Sequence, residues 1–172
     1  MHKSEDGFTL VELGVVGVVL AIVLTLGASA FSRYWKVRAL NGSVEEVVSE
    51  LRAEQQGAST QTHPWVMGAW FKAGTSSWGV VRANSLTGDC IVTSRRTFGT
   101  RVVVSAVSFD DVATGNLTAN CVNEAETGSE VVFFFARGTA TGGSVSLKHA
   151  EVSGGAARTI TVSPVTGRVT RP

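Results

Sequence analysis

Apolar residues are spread unevenly along the 172-residue chain. Between Glu12 and Arg33 lie twenty residues, 13–32, without a charge, and their core runs Leu13-Gly-Val-Val-Gly-Val-Val-Leu-Ala-Ile-Val-Leu-Thr-Leu26. At about 1.5 Å per residue, a helix of that length covers roughly the 30 Å hydrocarbon thickness of a bilayer. Beyond Arg33 the pattern becomes amphipathic. Val37, Leu40, Val44, Val47, Val48 and Leu51 recur at three- and four-residue steps, while Glu45, Glu46, Glu50 and Glu54 take other faces. This predicts a helix from Phe8 to about Gln56, weakest near Gly42 and ended by Gly57-Ala58-Ser59-Thr60 and Pro64. An anchor followed by a separate helix fits the periodicity equally well.

From residue 61 onward the pattern is one of short β-like runs between turn residues. Predicted strands are Trp65–Phe71, Trp78–Arg82, Cys90–Thr93, Arg101–Val107, Val131–Ala136, Ser144–His149 and Arg158–Ser163. The continuous run Val131-Val-Phe-Phe-Phe135 predicts a strand buried on both faces. In the last run Ile160 and Val162 alternate with Thr159, Thr161 and Ser163. A turn at Pro164-Val-Thr-Gly167 then returns Arg168–Arg171 as a partner strand. The fold class is therefore α+β: a long N-terminal helix, half apolar and half amphipathic, packed on a small antiparallel β head.

Composition narrows the picture. The chain is 44% hydrophobic and 17% charged, which excludes an intrinsically disordered polypeptide. A formal net charge of +1 excludes a polycation but leaves room for a local basic patch. Two cysteines, Cys90 and Cys121, cannot build a four-cysteine metal site. If the head lies in an oxidising compartment, they favour a disulfide over two buried thiols.

Three readings compete for the N-terminus. Ala28-Ser29-Ala30 fits a signal-peptide cleavage pattern, but Glu5 and Asp6 beside Lys3 spoil the basic n-region. A plain anchor explains the length but not Glu12, a carboxylate at the edge of the apolar run. The third reading is a resemblance. Gly7-Phe8-Thr9-Leu10-Val11-Glu12-Leu13 resembles the processing site of type IV prepilins and type II secretion pseudopilins.

That resemblance implies a prepilin peptidase that cuts after Gly7 and methylates the new N-terminal Phe8, with Glu12 as the assembly glutamate at the fifth mature position. The implied organisation is a leader over 1–7, a transmembrane and assembly helix over 8–32, an amphipathic helix over 33–60 and a β-rich head over 61–172. Implied partners are other pilins or pseudopilins, the peptidase, the inner-membrane assembly platform and the membrane itself, with the head outside the cytoplasm. Two features run against the pattern: the leader sums to −1, and Arg33, Lys36 and Arg38 lie on the head side, where the positive-inside rule would invert the topology.

A narrower resemblance lies at the C-terminus. A Phe-rich strand ending Ala136-Arg-Gly138, then Arg158-Thr-Ile-Thr-Val-Ser-Pro164 and Gly167-Arg-Val169, is similar to the GspH/FimT minor pilins and pseudopilins. It implies a head of two sheets packed on the helix and a role at the tip or in priming a pilus or secretion pseudopilus. FimT-type relatives carry a Gly-Arg-x-Arg tail implicated in DNA contact. The counterpart here is Gly167-Arg168-Val169-Thr170-Arg171, with one extra residue, and Arg158 adds a third cation. DNA is therefore a candidate partner through Arg158, Arg168 and Arg171, against the alternative that they solubilise a terminal hairpin.

No constellation for catalysis emerges. HExxH, GxSxG, CxxC and the phosphate-loop motif are absent. Gly138–Gly143 lacks the lysine a phosphate loop needs, His2, His63 and His149 are scattered, and Asp110-Asp111 reads as a solvated loop. His149 reads as a surface or rim side chain, and Trp65, Trp70, Phe71 and Trp78 as core rather than a sugar platform. The reading is a structural subunit, not an enzyme, without a cofactor or metal. A membrane-anchored extracytoplasmic enzyme is the remote alternative.

Overall fold

The computed structural model describes residues 10–99, 101–110, 117–152 and 157–171. It divides into two compact units, Met1–Val37 and Arg38–Pro172. Helix α1 covers Leu10–Thr60, so it extends one turn past the expected Gln56 end before Pro64 closes the option of further helix.

Among its described residues the second unit holds eight strands: β1 Trp65–Lys72, β2 Ser77–Asn84, β3 Cys90–Thr97, β4 Val102–Phe109, β5 Ser129–Phe134, β6 Gly143–His149, β7 Arg158–Val162 and β8 Val169–Thr170. They form two four-stranded antiparallel sheets, ordered β3-β2-β1-β5 and β4-β6-β7-β8. A short helix, α2 over Leu117–Ala125, lies between β4 and β5 in sequence.

Both sheets bury a face against the C-terminal part of α1. Leu40, Val44, Val47, Val48, Leu51 and Ala58 share one core with Phe71, Trp78 and Phe134 of the first sheet and Val104, Leu147 and Ile160 of the second. These helix positions recur at three- and four-residue steps, which puts their side chains on one stripe. Val37, expected in the same stripe, is instead 40% exposed.

The first sheet is covered on its other face too. Leu117, Cys121 and Ala125 of α2 pack with Val66, Trp70, Val81, Val131 and Phe133. In β5 the residues alternate between the two cores: Val132 and Phe134 meet α1, while Val131 and Phe133 meet α2. That double burial is why the run is apolar at every position.

Trp70 and Phe71 thus point to opposite faces, and Phe71 stacks on Trp78 with ring centroids 6.0 Å apart. The expected aromatic core holds for Trp70, Phe71 and Trp78, all buried. Trp65 is half-buried and carries the Arg82 guanidinium 4.5 Å from its ring centre. Gly79 is the cross-strand partner of Trp70, and a Cβ there would lie 2.1 Å from the Ser94 carbonyl and 2.6 Å from the indole Nε1. Only glycine fits this approach of β3, β2 and the indole.

Candidate assembly segment

Gly7 and Phe8, the expected processing site, lie outside the described residues. Glu12 lies in the first turn of α1. A carboxylate in a first turn interacts favourably with the partial positive charge of the helix N-terminus.

From Leu13 to Ser32 this unit carries no charge. Twelve large apolar side chains from Leu10 to Leu26 are each at least 51% exposed. They lie around the whole circumference: at about 100° per residue, Leu10, Val18, Val19 and Leu20 face four different sides of the helix. A surface helix of a globular domain would have a polar side, and this one has none. The segment is long and apolar enough to cross a membrane. It is a surface that water disfavours on every side. The helix is continuous through Ala28–Ala30, where the signal-peptide reading would place a cut.

In the second unit the polar flanks of α1 fasten it to an edge strand of each sheet. On one flank Glu50 accepts a hydrogen bond from Arg96 of β3 at 2.8 Å, and Arg96 lies 5.3 Å from the Trp78 ring centre. On the other, Arg52 donates to the Val169 carbonyl, Gln55 donates to the Thr166 carbonyl, and Glu45 pairs with Arg171. Glu54 does not take a solvent face as its spacing suggested. It is 9% exposed, and its Oε2 meets no hydrogen-bond partner among the described residues. Burial, and then the neighbouring Glu50 carboxylate, push its pKa up to about 7, with Arg96 pulling the other way.

The fold brings two of the three expected tail cations, Arg158 and Arg171, to one cleft. Arg158 opens β7, Arg168 precedes β8 and Arg171 follows it. All three are exposed. Arg158 and Arg171 line a cleft of about 290 Å³ with Asn41, Val44, Glu45 and Thr159. Within the tail no acid offsets these arginines, but α1 supplies one: Glu45 takes Arg171. Arg158 and Arg168 enter no ion pair among the described residues.

Cys90 and Cys121 are joined by a disulfide, with Cα atoms 5.2 Å apart. His149 is buried rather than at the rim, and its Nδ1 accepts the Glu151 backbone N–H at 3.2 Å. Asp111 lies outside the described residues. Among the described residues no group of three or more His, Cys, Asp or Glu side chains is placed to hold a metal ion. Sequence reasoning missed Glu54 and α2; the Leu117, Cys121, Ala125 spacing is the one signal that could have revealed the helix.

No protein-family model and no curated protein matches the chain. Among solved structures it is similar to the minor pseudopilin EpsH from the type 2 secretion system of Vibrio cholerae, with a TM-score of 0.54 and 10% sequence identity. The match covers 77% of this chain and 95% of that one. At that identity the likeness concerns architecture, and it agrees with the helix and two-sheet head described above. By fold, the chain is pilin-like, with the α+β architecture of a minor pseudopilin.

Proposed function

We propose that this protein is a minor pilin or pseudopilin, a non-enzymatic structural subunit at the tip or in the priming complex of a type IV pilus or a type II secretion pseudopilus. The observation that carries the reading is the wholly apolar, uncovered first half of α1 in front of a head with this fold. Such a segment suits two successive environments, first the inner membrane and then the apolar helix bundle of a fibre.

In this reading a prepilin peptidase cuts between Gly7 and Phe8 and methylates Phe8. The chain then waits as a single-pass protein with its head outside the cytoplasm, until the assembly platform lifts it into the fibre. Glu12 sets the register. A carboxylate drawn into an apolar bundle is strongly disfavoured unless it meets a cation, and the N-terminal amine of a neighbouring subunit is the cation the family resemblance supplies. Correct register then differs from a one-turn slip by a paired versus an unpaired buried charge.

The test is incorporation. Glu12→Ala is expected to leave cleavage intact while the sheared fibre fraction loses the protein. Wild-type incorporation of that variant would remove the charge-pairing mechanism. The DNA-uptake reading rests on the tail resemblance, and with Arg171 engaged by Glu45 no observation favours it over a structural role for the tail.

A further inference from the structure

Just before the apolar segment ends, its chemistry changes. Phe31, Tyr34 and Trp35 are 62%, 56% and 51% exposed, and they touch one another edge to face. The Phe31 and Trp35 ring centres are 5.7 Å apart and those of Tyr34 and Trp35 6.2 Å. Spacings of three and four residues put the three rings on one side of α1. Arg33 and Lys36 fall on the opposite side of the same turn.

We propose that Phe31, Tyr34 and Trp35, with Arg33 and Lys36, form an anchor for the phospholipid headgroup layer. It would set how deep α1 sits in the bilayer before assembly. The inference rests on the reading of residues 13–32 as a membrane span.

Three features choose this occupant. Tyr and Trp each combine an apolar body with a polar edge, which suits the boundary between hydrocarbon and water rather than either phase alone. Arg33 and Lys36 are the first cations after the span, and they complement phosphate groups at that depth while their stems stay apolar. Distance is the third. At about 1.5 Å per residue, Phe31 lies roughly 28 Å along the helix from Glu12, and Trp35 roughly 34 Å. These values bracket the roughly 30 Å hydrocarbon thickness.

Rings held at one interface therefore place the Glu12 carboxylate at the other, where it stays hydrated. Residues 13–30 are uniformly uncharged and free of aromatic side chains, so the features that fix depth lie at the two ends of the span. The anchor and Glu12 act as two ends of one ruler.

The full chain is reconstituted in phosphatidylethanolamine/phosphatidylglycerol vesicles and recovered by flotation. Bromines near the headgroup and bromines deep in the acyl chains serve as quenchers of tryptophan fluorescence, and subtracting the Trp35→Phe variant isolates Trp35. A floated chain whose Trp35 signal is quenched about twofold more by shallow than by deep bromines is the expected result. Phe31→Ala/Tyr34→Ala is expected to move that ratio toward one. A floated chain with unquenched Trp35 would place the ring in water or against protein and overturn the anchor, as would deep quenching that equals or exceeds shallow. A chain that fails to float overturns the membrane span itself, and the anchor with it.

Discussion

Cys90, the first residue of β3, is bonded to Cys121 in the middle of α2, so an edge strand is tied covalently to the helix that covers its sheet. Weaker ties converge on the same helix. Arg95 of β3 donates to the carbonyls of Glu124 and Ala125 at the C-terminus of α2, where a cation suits the helix dipole. Lys72 of β1 pairs with Glu126 just beyond.

The first prediction concerns this bond. The two cysteines are 31 residues apart, and closing such a loop stabilises by about 3 to 4 kcal/mol in the chain-entropy description. Cys90→Ser/Cys121→Ser is expected to lower denaturant stability by an amount of that order and to speed amide exchange in α2 first. Intact mass without reductant is expected to be short by two hydrogens. Alkylation of both thiols in the unreduced protein would show that the bond does not form.

The second concerns Glu54. Its carboxyl is raised from the ordinary 4.5 to about 7, so the fold prefers the protonated form. A raised carboxyl pKa means that the unfolded chain releases this proton first. Stability is therefore greatest below pH 4.5 as far as this group is concerned, and it falls as pH rises through about 7. The full swing is about 3 kcal/mol. Glu54→Gln is expected to remove that decline and to be more stable than the parent at pH 8. A variant whose pH profile runs parallel to the parent's would show that Glu54 is not desolvated.

The third concerns the tail. Arg171 and Glu45 are each about half exposed, so Arg171→Ala is expected to cost less than about 1 kcal/mol. A structural tail predicts no binding of duplex DNA by the chain even at low ionic strength. Micromolar binding that weakens with salt and vanishes in Arg168→Ala/Arg171→Ala would instead assign the arginines to phosphate contact.

Much of this architecture is legible in the sequence because single patterns dominate it. The span is uncharged for twenty residues, and the stripe from Leu40 to Leu51 has one period. Strand β5 reads as doubly buried because both its faces are apolar. What could not be read has a common cause. Leu117–Ala125 has Thr118, Asn120 and Asn123, poor helix formers, and becomes a helix through packing on Trp70 and Phe133.

Glu54 carries the same lesson from the other direction. Its charge argued for a solvent face, but the helix turns it toward the core beside Glu50 and Arg96, a placement set by tertiary packing. The candidate assembly segment was legible as chemistry, from Glu12 and the apolar run. The exposure of its apolar side chains needed the structure.

If this chain is processed and assembled as a pilin-like subunit, as we propose, its mature N-terminus records it. The protein is co-expressed with a prepilin peptidase, purified from membranes, and its N-terminal peptide is sequenced by mass spectrometry. The expected result is a chain that begins at Phe8 and carries an N-methyl group, with Gly7→Glu leaving the longer precursor in the membrane. A chain that still begins at Met1, or one cut after Ala30, would contradict it.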